Sequence, residues 1–296
     1  MKEVWSSYRS AWKCLLLNWR IMILLYGFTL VLSFIALGPL SNLIENTFGD
    51  SMMLSDMTSR FDYTSIVDMI HKNGSATIIS ISVILSFFVV YIFWSAFYTG
   101  GLIAVSKHKN ARTSTQVFWK GGGEFFFRYL RLSIYILLFT IAVTFIMFIF
   151  FSKDGLNPLR LESENFLIIR FKILLGFLLL ILFFAATVRD ITKVIVKEEC
   201  HVPLITHSVI EAIKRTFSLQ FIVLSLLNLV FLLLGLLLYL LLKALVSAVV
   251  FLIIISQVFL IYRLAYRFVR LASFNYLYID TKVVLRSGSL SSDDKV

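Results

Sequence analysis

Charge is scarce in this chain. Asp, Glu, Lys and Arg supply 15% of its 296 residues, and apolar residues supply 59%, where soluble domains run to about a quarter charged and half apolar. Mean hydropathy is +0.89. A soluble domain of this length could not bury so much apolar surface and still keep a wetted exterior. The shortage of charge therefore excludes an ordinary cytosolic enzyme and a disordered chain. Cysteine is scarcer still. The two residues, Cys14 and Cys200, exclude a disulfide-stapled secreted scaffold. Catalytic signatures are missing as well. The chain has no G-x-S-x-G, no H-E-x-x-H and no paired carboxylates inside an apolar run. Gly121, Gly122 and Gly123 lack the Lys-Ser/Thr that completes a phosphate loop, and read instead as a helix break. Cys200, His201 and His207 share one loop, but a structural zinc site takes four ligands at tighter spacing. The expectation is a protein that is not an enzyme and holds neither metal nor cofactor.

What the chain has is long apolar runs. A membrane span needs about 20 such residues, because a helix rises about 1.5 Å per residue across roughly 30 Å of hydrocarbon. Four runs qualify directly: 21–40, 76–105, 130–151 and 166–188. A fifth run, Leu219–Tyr262, is interrupted only by Lys243. As one helix it would extend roughly 65 Å, about twice the core thickness. It must turn back, and Lys243 is the natural turn, giving spans at 219–242 and 245–266. These six spans make one membrane domain over 1–286, followed by a polar tail at 287–296 that is expected to be disordered. Met1–Arg20 is amphipathic and aromatic, and no small-residue cleavage site follows the first span, so that span is expected to be retained.

The net charge of +11 becomes informative once it is placed. The segments 1–20, 106–131, 189–218 and 263–296 carry 21 of the 28 basic residues, and the alternate loops carry seven. The basic side is expected to be cytoplasmic. Both termini then lie inside a bacterial cytoplasmic (inner) membrane. Counting acids, the cytoplasmic side carries +12 and the outer side −1, so the excess faces the anionic inner leaflet. Basic residues that flank spans in this way speak against nucleic acid as a partner.

Each odd-numbered span is preceded by a similar segment. Ser7…Ala11-Trp12-Lys13, Ser114…Phe118-Trp119-Lys120 and Ser208…Ala212-Ile213-Lys214 share a Ser, three variable residues, an apolar residue, a bulky apolar residue and a Lys. The pattern suits a short helix on the inner leaflet, N-capped by the Ser, with apolar residues toward the acyl boundary and Lys toward headgroups. The fold class is therefore all-α: a polytopic membrane protein whose six transmembrane helices form three hairpins, each preceded by a cytoplasmic interfacial helix, with the hairpin as an internal repeat. The stretch Tyr98-Thr-Gly100-Gly101-Leu102-Ile103, followed by Ser114, Phe118, Gly121, Phe125 and Arg128, resembles uncharacterised bacterial six-span integral membrane proteins. Those proteins are related to the membrane domain attached to some glycerophosphodiester phosphodiesterases. The resemblance implies a membrane module without the catalytic barrel, since no soluble stretch here is long enough to form one.

Polar residues near spans are the remaining candidates, because they are costly in lipid. Arg263, Arg267 and Arg270 recur at spacings of four and three on one helix face. With Arg189 and Lys193 they are candidate lipid-headgroup contacts, against the plainer reading of a positive-inside anchor. Asn228 and Gln257 are candidate intramembrane polar contacts, either between helices or along a substrate path. Arg170 and Lys172 are expected to snorkel outward. Ala96, Gly100 and Ala104 recur every four residues and suit a close helix crossing. The loop near 41–75 carries Glu45, Asp50, Asp56, Asp62 and Asp68 and an amphipathic segment at Tyr63–Lys72. The first functional expectation is a protein that interacts with membrane lipids, anionic inner-leaflet lipids above all, or that assists a membrane-protein partner or its own second copy. The alternative is a transporter or permease for a small or amphipathic substrate. An intramembrane enzyme is the third, and it would need a polar cluster at one depth.

Overall fold

The computed structural model describes residues 2–48, 74–108, 113–155, 164–198, 205–246 and 249–293. Among the described residues there are nine helices and no strand. In chain order these are α1 (Lys2–Leu17), α2 (Trp19–Phe48), α3 (Gly74–Ser106), α4 (Ser114–Glu124), α5 (Phe126–Gly155), α6 (Glu164–Glu198), α7 (Ile205–Thr216), α8 (Leu219–Leu245) and α9 (Val249–Asp293). Lipid offers backbone groups no partner, so an apolar run placed in it must satisfy its own hydrogen bonds as a helix. Among the described residues, six helices are long and apolar enough to cross a membrane, over Trp19–Gly38, Ser82–Ser106, Phe126–Ile146, Leu175–Glu198, Leu219–Leu245 and Val250–Lys282. They support a multi-pass membrane protein. Each falls on one span read from the sequence.

The boundaries differ in places. Lys243 does not make the turn. It lies in the last turn of α8, and the helix gives way at Val246, whose backbone is extended. A cation is favoured in a helix's last turn by the C-terminal dipole, so Lys243 extends α8 rather than ending it. α9 runs on to Asp293, past Ser287. Asp50, Asp56, Asp62, Asp68, the segment Tyr63–Lys72, Cys200 and His201 lie outside the described residues, as do the side chains of Glu45, Arg170 and Lys172.

The chain divides into two compact units, Met22–Ser95 and the remainder. In the first, Phe28 of α2 stacks on Trp94 of α3, with ring centroids 3.7 Å apart. Hydroxyls there turn back on their own helices, as Thr29 donates to the Leu25 carbonyl and Ser86 to that of Ser82. That is how Ser and Thr are tolerated in an apolar helix.

In the second unit α1 packs along α9, α8 along α9, α5 along α6, and α7 against α6. Burial concentrates where the short helices α1, α4 and α7 adjoin the long ones. Ile103, Phe118, Tyr129, Ile191, Ala212, Phe274 and Tyr278 have no exposed surface. Farther along, α8 presents Leu234, Leu237 and Leu238 at 58–64% exposure. That surface would be ruinous in water and suits lipid, which is as apolar as leucine.

The three short helices repeat a burial register. Ser7, Ser114 and Ser208 are each 1% exposed, and Ala11, Phe118 and Ala212 are fully buried. Lys13, Lys120 and Lys214 are exposed. This corrects the expectation that the Ser caps the helix. Ser7 and Ser208 lie inside α1 and α7, and the position before α4 is Thr113, which makes no side-chain cap bond. The hydroxyl instead faces protein, with Ser7 Oγ 3.4 Å from Asp280 Oδ2.

The glycines at 121–123 are corrected too. All three lie inside α4, and the helix ends at Phe125. Gly121 and Gly122 are there for close approach. A Cβ on Gly121 would meet Ala104 Cβ at 2.3 Å, and one on Gly122 would meet the Phe97 ring at 2.7 Å. Across the same crossing, a Cβ on Gly101 would fall 2.4 Å from the Phe118 ring. The small residues Gly100 and Ala104 thus serve the close crossing that their spacing predicts.

Candidate functional site

The segment Thr187–Val196 of α6 is buried except at Arg189, although it contains Asp190, Thr192 and Lys193. A helix buried on all sides is normally apolar on all sides. Here polar groups interrupt it, and each needs a partner. Asp190, 6% exposed, receives two guanidinium groups. Arg189 Nε lies 3.2 Å from its Oδ1, and Arg270 Nε of α9 lies 3.0 Å from its Oδ2. The first contact is also a hydrogen bond. The second is an ion pair without hydrogen-bond alignment. The terminal nitrogens of Arg270 donate to Tyr266 Oη at 3.2 Å and Thr187 Oγ1 at 3.4 Å.

Lys193, one turn beyond Asp190, is 1% exposed. Among the described residues no carboxylate forms an ion pair with its ammonium. Its carbonyl accepts a hydrogen bond from Tyr129 Oη at 2.9 Å, which ties α5 to α6. Arg267 lies over the ring of Tyr98, 4.6 Å from its centroid, a cation–π contact. Arg189, Lys193, Arg267 and Arg270 all act electrostatically on Asp190. Of the five basic residues expected from the sequence, these four gather around one carboxylate. Arg263 does not join them and is exposed. Sequence reasoning missed Asp190, Thr187 and Tyr266. The available signal was an acid set between Arg189 and Lys193 at the end of an apolar run.

Asn228 is 1% exposed. Its amide donates to the Leu224 carbonyl at 2.8 Å and lies 3.5 Å from Ser273 Oγ on α9. It therefore sits in a closed contact between α8 and α9. Gln257 is half-buried and engaged in α9.

A second polar junction joins α1, α3 and α9. Asn275 donates to Ser106 Oγ at 2.7 Å, Tyr276 Oη donates to the Ser106 carbonyl at 2.5 Å, and Cys14 Sγ lies 3.8 Å from that carbonyl. Burial pushes the Cys14 thiol above its ordinary range, against the hydrogen bonds of Tyr276 and Asn18.

An apolar groove of about 670 Å³ opens between α5, α6 and α7, lined by Leu132, Phe139, Phe184, Val188 and Ile213 among others. Among the described residues no group of three His, Cys, Asp or Glu side chains could hold a metal ion. Compared with known protein families, curated proteins and solved structures, the chain matches none.

Proposed function

We propose that the protein is a non-enzymatic integral protein of the bacterial inner membrane that engages anionic lipids of the inner leaflet. In this reading six spans form three hairpins, and α1, α4 and α7 lie at the cytoplasmic interface as three copies of one unit. The observation that carries it is the shared register of those helices. Each buries its Ser and the apolar residue four positions later, and turns outward a Lys preceded by Trp12, Trp119 or Ile213. A basic residue beside an aromatic or aliphatic one is the composition of an interfacial helix. The likeness to six-span membrane proteins belongs to the same reading.

The transporter reading has less support, because Asn228 is buried and lies beside Ser273 of the neighbouring helix. The test is lipid enrichment. The protein is reconstituted in nanodiscs of mixed phosphatidylcholine and phosphatidylglycerol, and the lipids retained through purification are quantified. Phosphatidylglycerol should be enriched around the wild-type chain, and the triple variant Lys13→Gln, Lys120→Gln, Lys214→Gln should lose most of that enrichment. Equal retention of the two lipids by the wild-type chain would overturn the reading.

A further inference from the structure

We infer that the cluster of Arg189, Lys193, Arg267 and Arg270 around Asp190 is a binding site for a phosphate group, as the free ion or as a lipid phosphodiester. The charge count comes first. Four cationic side chains act on one carboxylate, and both of its oxygens are occupied, Oδ1 by Arg189 and Oδ2 by Arg270. Lys193 is almost fully buried and forms no ion pair among the described residues. A buried cation without a close counter-ion is expensive, so an anion that met Lys193 would be bound favourably.

Phosphate suits such a cluster. It brings negative charge and several acceptor oxygens that match guanidinium forks. Exposure is graded. Arg189 is one-third exposed by side chain and Arg270 12%, while Lys193 is 1% exposed. Arg267, braced on Tyr98, and Arg189 would meet the ligand first. The inference deepens the lipid reading and rests on it only for the phosphodiester as a source.

The experiment uses the full chain, delipidated in neutral detergent. Inorganic phosphate is titrated and binding is followed by calorimetry. In a second arm, nanodiscs of phosphatidylcholine with or without phosphatidylglycerol are analysed for tightly retained lipid by native mass spectrometry. Lys193→Met removes the unpaired charge without a cavity and is expected to fold, and Arg267→Gln is the second variant. Each should weaken binding roughly tenfold or more, the worth of one lost charge-assisted hydrogen bond. Phosphate binding alone assigns a soluble source, and retained phosphatidylglycerol assigns the headgroup. The inference is overturned if neither probe binds, or if both variants bind as the wild type does. Its failure is separable from that of the leaflet reading. In that case the Lys13, Lys120 and Lys214 substitutions would still abolish lipid enrichment while Lys193→Met changed nothing.

Discussion

Asp190 is the residue on which the buried cations depend. Asp190→Asn would leave Arg270 without its only close carboxylate among the described residues. Removing one partner of a buried pair costs about 3–5 kcal/mol, because the other charge stays buried. The variant should therefore show a marked drop in unfolding temperature in detergent, measured by tryptophan fluorescence. Lys193→Met should be neutral or stabilising in the absence of phosphate, because it deletes a desolvated charge. A drop as large as that of Asp190→Asn would mean that Lys193 has its own counter-ion. Cys14 supports a pH prediction. Its thiol titrates above its unfolded value, so the stability it contributes is complete below the unfolded thiol pKa of about 8.5 and is lost as pH rises through the folded value. Unfolding temperature should fall on moving from neutral to alkaline buffer, and Cys14→Ala should flatten part of that fall. Part of the site was legible in the sequence as spacing, because Arg267 and Arg270 sit three positions apart on one helix and a 3.6-residue period can be read from a string, although the same period wrongly adds Arg263, which is exposed. Their counter-ion was not legible. Asp190 and Arg270 are 80 positions apart, and only the packing of α6 on α9 joins them.

Among the elements, the crossing of α3 and α4 offers the sharpest contrast between adjacent glycines. Gly121 has no room for a methyl group against Ala104, whereas Gly123 has nothing within 4 Å. Gly121→Ala should destabilise by about 1–3 kcal/mol, the usual cost of overpacking. Gly123→Ala should stabilise by about 0.5–1 kcal/mol, since alanine loses less backbone freedom in a helix. Thermal unfolding of the two variants side by side checks this, and equal behaviour would show that the crossing is looser than described. The same crossing marks where sequence reading fell short. The spans were legible because a run of 20 apolar residues has one stable form in lipid. The breaks between elements were not, because a glycine that admits a turn and a glycine that admits a neighbouring helix look identical in a string. Ser7, Ser114 and Ser208 show the same ambiguity, since a Ser before an apolar stretch signals a cap whether it starts the helix or lies buried within it.

Across the whole molecule, the asymmetry of charge coincides with an asymmetry of packing. The segments carrying 21 of the 28 basic residues include the short helices α1, α4 and α7 and the adjoining ends of long helices, where burial is densest. In the proposed orientation the end rich in Lys and Arg stays inside, and the loops with seven basic residues pass outward. The orientation that follows can be tested with single cysteines in a chain otherwise free of them. Ser55→Cys and Asn157→Cys should react with a membrane-impermeant maleimide in intact cells whose outer barrier has been opened. Asn110→Cys and Ser292→Cys should react only once the inner membrane is breached. Labelling of Asn110→Cys in intact cells would invert the topology. The basic face and the Lys193 cluster would then lie against the outer leaflet and its solution. The phosphate site could still exist there, but its ligand would come from the periplasmic side, and the inner-leaflet reading of the three short helices would fall with the orientation.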